Sequence, residues 1–550
     1  MNPPAVTASR AASRETWIYG ALAVLVALLW LATLAGRPLF NPDEGRYAEI
    51  PREMLGGGDW VIPHLNGLAY IEKPPLQYWA TAVSLELLGP TEFAARLYGA
   101  LTAFGSLVLV WLGARQLWGA KAGHCAAAVL SGTLMFVVLG QLLTLDMSLT
   151  FYMTLSLVAF LVAQRHPQPR RWMLLAWAAA GLGVLTKGLV AAAIPAAVLV
   201  LYSAYARDFA PWRRLYLKWG VPLFLAITVP WHWLAARRAA DFLEFFFVHE
   251  HLARYLTPSA DREAPWWFFI GVFLAGSVPW TIPALRALVT GWRRAPRGEF
   301  NSILFLWIWV MFIGVFFSLS DSKLMPYILP AMPALALLVA RLPAPMLMRD
   351  FRLTAVLTLL TGVGLGAASL VWPHVVAASD RSTYFLPLAK PAGQIALLLA
   401  ASGAFVLARC GRDALRAAVF LSVGWGVAWL LLIRSAALVA PLYSGVTLAA
   451  ALSAADRGAP IYSVGTYDQS FTFYLQRPVT LVAYRGELDY GLRHAPGAGI
   501  ADVAEFLRRW STQTRAFAVM ETSMFDDLWR RGVPMRVVAR SAQRVLVARQ

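Results

Sequence analysis

Residues 40–54, FNPDEGRYAEIPREM, hold four carboxylates and two guanidinium groups directly after an uncharged apolar run, 17–36. Asn41-Pro42-Asp43-Glu44 reads as a helix start. Asn41 is the expected cap, Pro42 suits the first helical position, and Glu44 lies three residues after the cap. Asp43 then sits in the first turn, where the helix dipole favours a carboxylate. Arg46 and Tyr47 follow at i+3 and i+4, so all three share a face, and Pro51 is expected to kink or end the helix. A carboxylate, a guanidinium and a phenol displayed together can stabilise developing positive charge and grip an anionic oxygen. The plainer reading is that Asp43 and Glu44 only cap a surface helix. Charge displayed this close to lipid is costly, which favours the functional reading.

Residues 59–79, DWVIPHLNGLAYIEKPPLQYW, supply a second set. Asn66-Gly67 between apolar runs predicts a hairpin, which presents Tyr70, Glu72 and Lys73 ahead of the stiff Pro74-Pro75 pair. A lysine held there suits a lipid phosphate, although Lys73, Tyr78 and Trp79 would also serve as a membrane-surface anchor. Asp146, Lys187, the run His249-Glu250-His251 with Arg254 and Tyr255, and Asp321, Lys323 and Tyr327 fall beside other apolar stretches. Each alone fits snorkelling or capping; together they describe an interfacial pocket for an anionic lipid. A divalent metal held by Glu72 and His251 is a further reading, weakened because His249 and His251 point to different faces of a helix. No other cofactor is expected. Asp-x-Asp and a P-loop are absent, and GELDY, residues 486–490, is only a loose Glu-x-Asp match.

These groups must be positioned by a membrane bundle. The chain has 550 residues, 59% hydrophobic and only 14% charged, too little charge to cover a soluble protein of this size. A window of about 20 apolar residues gives about thirteen candidate spans. They lie near 17–36, 96–114, 122–141, 147–164, 172–186, 188–205, 219–236, 266–285, 302–320, 324–340, 353–372, 391–408 and 417–433. The net charge of +18 is spread over alternate loops, from Arg10 and Arg14 through Arg341, Arg349 and Arg352 to Arg409, Arg412 and Arg416. That pattern is the positive-inside rule, so a cytoplasmic N-terminus is expected and nucleic acid is not an expected partner. Cys125 and Cys410 are the two cysteines. Both fall at expected cytoplasmic span ends, which argues against a disulfide. The first span is expected to be retained rather than cleaved as a signal peptide. Residues 1–450, including an outward loop at 37–95, form the expected membrane domain, and 451–550 a small outward α/β domain. In that tail APIYSVG, PVTLVAY and RAFAVMET read as strands, IADVAEFLRRWST and MFDDLWRRG as helices, and the last sixteen residues as one or two edge strands.

NPDEGRYAEIPREM followed by HLNGLAYIEKPPLQYW resembles the first periplasmic loop of the bacterial 4-amino-4-deoxy-L-arabinose lipid A transferases, and HEHLARYL and SKLMPYILP resemble two later motifs in the same order. Those enzymes belong to the protein O-mannosyltransferase superfamily with the C-type glycosyltransferase fold. The resemblance implies transfer of the sugar from undecaprenyl phosphate to lipid A phosphates at the periplasmic face of the inner membrane. The product would be a more cationic lipid A, resistant to polymyxin and other cationic antimicrobial peptides. It also implies that Asp43, with Asp146, stabilises positive charge on the sugar or its amine. Arg46, Lys73, Arg254 and Lys323 would hold donor and acceptor phosphates, aided by Tyr47, Tyr70 and Tyr327. A monomer working among membrane lipids is expected. Two other readings stay open: transfer of a polyprenyl-linked hexose to a protein hydroxyl, and transport of a lipid or solute. The first would require Asp43 to act as a base. The second sits poorly with the scarcity of mid-span charges.

Overall fold

The structure is a computed structural model that describes residues 5–253, 264–293, 300–377, 382–411 and 413–550, with the side chains of 5–18 and 251–253 outside that description. Among the described residues, seven helices are long and apolar enough to cross a bilayer. The site depends on a few helices: α1 (Ala5–Leu34), α2 (Asp43–Gly57), α3 (Leu76–Leu88), α4 (Glu92–Trp118), α5 (Leu145–Ala163), α6 (Pro169–Lys187) and α7 (Ala344–Val376). In α5, 89% of the apolar stretch is buried, against 22% in α7. The first is therefore enclosed by protein and the second faces its surroundings along most of its length. The chain is a polytopic helical membrane protein with a sheet-containing C-terminal region.

All thirteen expected spans fall on helical residues, but they are not thirteen equal crossings. The 122–141 window is the bent pair Ala120–Gly132 and Leu134–Gly140, and 266–285 is the pair Phe268–Gly276 and Thr281–Gly291, broken by 67° and 119°. Thr133 leaves the helical region at the first break, and Pro279, which has no N–H to donate, lies in the second. Tyr19–Leu34, Val190–Ala206 and Met325–Val339 are apolar but shorter. The 172–186 window is α6, which carries Arg170, Arg171 and Lys187 near its ends. Hydrophobic windows register apolar residues, not axis direction.

The Asn66-Gly67 hairpin forms as expected between β1 (His64–Leu65) and β2 (Leu68–Ala69), with both turn residues at positive φ, 56° and 74°. In the tail, β3 (Ile461–Val464), β4 (Thr480–Val482), β5 (Gly499–Ile500), β6 (Phe517–Glu521), β7 (Met535–Arg540) and β8 (Arg544–Arg549) form one sheet, ordered β5-β4-β3-β6-β8-β7. The first four strands are parallel; β8 runs antiparallel between β6 and β7. Of the last two strands β7 is an edge and β8 is not, so of the one or two edge strands expected there the sheet has one. The β8 run Val545, Leu546 and Val547 is fully buried, which marks a strand covered on both faces.

Side-chain alternation divides that sheet between two cores. Tyr462, Val464, Ala518 and Val545 pack with Phe506 and Trp510 on one face. Ile461, Phe517, Val519 and Leu546 pack on the other with Tyr47, Ile50 and Met54 of α2, and with Ala94, Ala95 and Leu145 of the bundle. The helix that begins with Asp43 is thus clamped between tail and membrane domain. That packing carries α2 through Pro51 to Gly57, where the sequence suggested a kink or an end.

Candidate functional site

Asn41 does not cap α2. Pro42 occupies the cap position without a side-chain bond. The Asn41 side chain instead turns to the tail, donating to Asp468 at 2.7 Å and accepting from the Ser470 backbone N–H at 2.8 Å. Both partners belong to the start of α8 (Gln469–Leu475). Asp468 also accepts from Arg544 of β8. Asn41, two residues before Asp43, is therefore fastened to a segment more than four hundred positions away. Gly45 completes the seam, because a Cβ there would run into the Ser470 backbone.

Glu44 anchors the other side. Its buried carboxylate takes bonds from Arg37, from Arg96 at 2.8 and 3.0 Å, and from the Phe40 and Leu143 N–H groups, each at 3.1 Å. Burial alone would raise its pKa, but Arg96 and Arg37 outweigh it and hold the group well below the usual carboxylate range. The reach-back expected of a capping acid goes to the Phe40 N–H, because the Asn41 N–H donates to the Tyr443 carbonyl. The two arginines, from the end of the first span and from α4, were not legible as its partners.

Asp43 differs. Its side chain is 54% exposed and, among the described residues, pairs with Arg46 at 3.5 Å. Arg46 is buried and held at 2.6 Å by Glu487 of the tail, which bonds Gln469 in turn. Burial pushes the Glu487 carboxyl up, against the pull of Arg46. Glu487 lies in the GELDY stretch that the sequence reading set aside; only the fold brings it to α2. The Tyr47 ring lies under the Arg46 guanidinium at 5.6 Å and 6.2 Å from the Tyr78 ring. The Tyr70 and Tyr78 hydroxyls are buried without a hydrogen-bond partner among the described residues. Burial raises the Tyr47 phenol pKa, and Asp43, Asp146 and Glu72 are close enough to push it further. Residues from the first loop, the hairpin, α5 and the tail therefore converge around Tyr47.

Asp146, in the first turn of α5, pairs with Lys187 at the end of α6. The Lys187 ammonium lies 5.1 Å from the Tyr327 ring centre, which brings Tyr327 to the same place. Lys73 is bound by Glu250 at 2.6 Å and by the Glu72 carbonyl at 3.0 Å. Lys323 donates to the Ser320 carbonyl at 2.6 Å, and among the described residues no hydrogen bond or ion pair joins it to the Asp43 cluster. Arg254 and the His251 side chain, and with it the expected Glu72–His251 metal pairing, lie outside the described residues. Among the described residues no group of three metal-ligating side chains is gathered.

A polytopic bundle with a first-loop acidic helix, closed by a tail sheet, defines a protein of the C-type glycosyltransferase fold. The family described as Aminoarabinose transferase C-terminal domain matches residues 448–549, and Dolichyl-phosphate-mannose-protein mannosyltransferase matches 72–233. The chain is similar to ArnT from Cupriavidus metallidurans, solved bound to undecaprenyl phosphate, at 33% identity and a TM-score of 0.88, over 97% of this chain and 98% of that one. The same protein in its apo state gives a TM-score of 0.87. An undecaprenyl phosphate-alpha-4-amino-4-deoxy-L-arabinose arabinosyl transferase from Aeromonas salmonicida is 36% identical over 62% of this chain and 64% of its own length. The counterpart from Serratia proteamaculans is 33% identical over 65% and 67%. The chain belongs to the aminoarabinose transferase family.

Proposed function

We propose that the protein moves 4-amino-4-deoxy-L-arabinose from undecaprenyl phosphate to a lipid A phosphate at the periplasmic face of the inner membrane. The resulting lipid A would be more cationic and would confer resistance to polymyxin. The observation that carries this reading is the likeness, over nearly the whole chain, to a protein that binds undecaprenyl phosphate. In this reading residues 1–450 form the catalytic membrane domain and 451–550 a periplasmic domain that closes over its first loop.

In the reaction a lipid A phosphate oxygen bonds to the anomeric carbon. The bond from that carbon to the carrier phosphate breaks, and undecaprenyl phosphate leaves with the electron pair. The attacking phosphate is already anionic, so placement and charge stabilisation matter more than proton removal. Asp43, the exposed carboxylate, faces the positive charge that develops on the sugar, and Asp146 supports the sugar amine beside Lys187. Lys73 neutralises the leaving phosphate, which must draw it from Glu250. Arg46 is engaged by Glu487, so its part in phosphate binding falls to the guanidinium edge facing Asp43. Tyr47, Tyr70 and Tyr327 donate hydrogen bonds, and Lys323 and Arg254 complete the phosphate set. Mass spectrometry of lipid A from cells with and without the protein tests the assignment. A protein-dependent gain of one aminopentose is expected; identical lipid A in both would refute it.

A further inference from the structure

A second basic region lies at the other end of the bundle. Glu44 binds Arg96 near the start of α4, while Arg341 lies over the ring of Trp118 at its end. Trp118 follows Arg96 by 22 positions, which places it about 33 Å along the helix axis. Near Arg341 a cleft of about 480 Å³ opens between the start of α7 and Gly411, lined by Ala344, Pro345, Met348, Arg349 and Arg352. Arg352 donates to the Gly411 carbonyl and ties the two walls together.

The acidic groups nearby are already engaged. Asp350 is buried against Arg286 at 2.6 Å. Asp413 caps the next helix and lies 3.4 Å from Arg416. Among the described residues, Arg349 and Arg352 have no carboxylate partner, so the cleft keeps an uncompensated positive charge. The same face of α7 continues as Val356, Leu360 and Val363, at helical spacing from Arg349 and Arg352. Those three side chains are exposed, as are the neighbouring Leu353 and Leu357. Guanidinium groups at the cleft and an apolar stripe running away from it match the two ends of a phospholipid.

We propose that this cleft binds the phosphate headgroup of an anionic phospholipid from the leaflet at that end of the bundle, with its acyl chains lying along α7. The site is separate from the sugar-transfer centre and independent of that assignment. Guanidinium–phosphate pairing supplies headgroup selectivity, and the stripe distinguishes a lipid from a free anion.

The test is thermal unfolding of the full chain in neutral detergent, titrated with phosphatidylglycerol, phosphatidylcholine or inorganic phosphate. Phosphatidylglycerol should raise the unfolding temperature, and the other two should not. Arg349→Gln leaves the Arg352–Gly411 tie intact and should weaken the phosphatidylglycerol response about fivefold; the double Arg349→Gln/Arg352→Gln variant should weaken it about 25-fold. Equal protection by phosphatidylcholine would overturn headgroup recognition, and protection by phosphate alone would overturn the lipid assignment. An unchanged response in Arg349→Gln would place the lipid elsewhere, and that single variant keeps the test decisive if the double one does not fold.

Discussion

Two neighbouring carboxylates at the start of α2 live in opposite surroundings. Glu44 is buried, takes bonds from two arginines and two backbone N–H groups, and locks the first span to α4. Asp43 is half exposed and has one guanidinium at 3.5 Å. A group whose partners are all satisfied holds structure; a group left accessible beside fixed charges can meet a substrate. The Glu44 node belongs to the bundle, whereas the surroundings of Asp43 are finished by the tail through Glu487, Asp468 and Ser470. The bundle therefore fixes where α2 begins, and the tail sets how its exposed face is presented.

The sharpest way to break this contrast is Glu44→Ala. It strands Arg37 and Arg96 in the interior, a loss of about 3–5 kcal/mol. Unfolding followed by heat in detergent should show a severely destabilised protein, and near-native stability would remove the structural role. Gly45→Ala comes next, since its methyl group must push α2 away from the Ser470 backbone. A cost of about 1–3 kcal/mol is expected, with transfer falling because Asp43 moves; unaltered stability and transfer would mean the seam is slack. Glu487→Gln keeps the shape but weakens the hold on Arg46. Transfer should drop about tenfold with little change in unfolding temperature, and undiminished transfer would confine the tail to packing.

The last effect is in pH. Burial first, and then the Glu49 carboxylate, push Glu53 up to about 8. Between the unfolded carboxylate range and that value the folded chain holds a proton that the unfolded chain has lost. Stability should therefore fall as pH rises from about 4.5 to 8. Glu53→Gln should flatten that part of the profile, keeping the contact to the Gly67 N–H. A profile identical to that of the unmodified protein would show Glu53 ionised throughout.

What the sequence disclosed follows the range of the interactions involved. The Asn66-Gly67 turn and the helix opening at Asp43 are local, and both were legible. Asn41 looked like a cap because local grammar cannot weigh a partner 427 positions away. Charges at Lys73, Asp146 and Lys187 were visible as charges, but their pairing with Glu250 and with each other depends on how separate helices meet. Glu487 offered only a weak motif, and nothing within its segment points to Arg46. The α8 helix went unread because seven residues carry little periodicity.

The central claim is that Asp43 serves chemistry while its surroundings serve position. Purified Asp43→Asn protein, assayed side by side for undecaprenyl phosphate binding and for aminoarabinose transfer, separates the two. Carrier binding and unfolding temperature should stay close to those of the unmodified protein, with transfer reduced at least about a hundredfold. Transfer at the unmodified rate would contradict that claim.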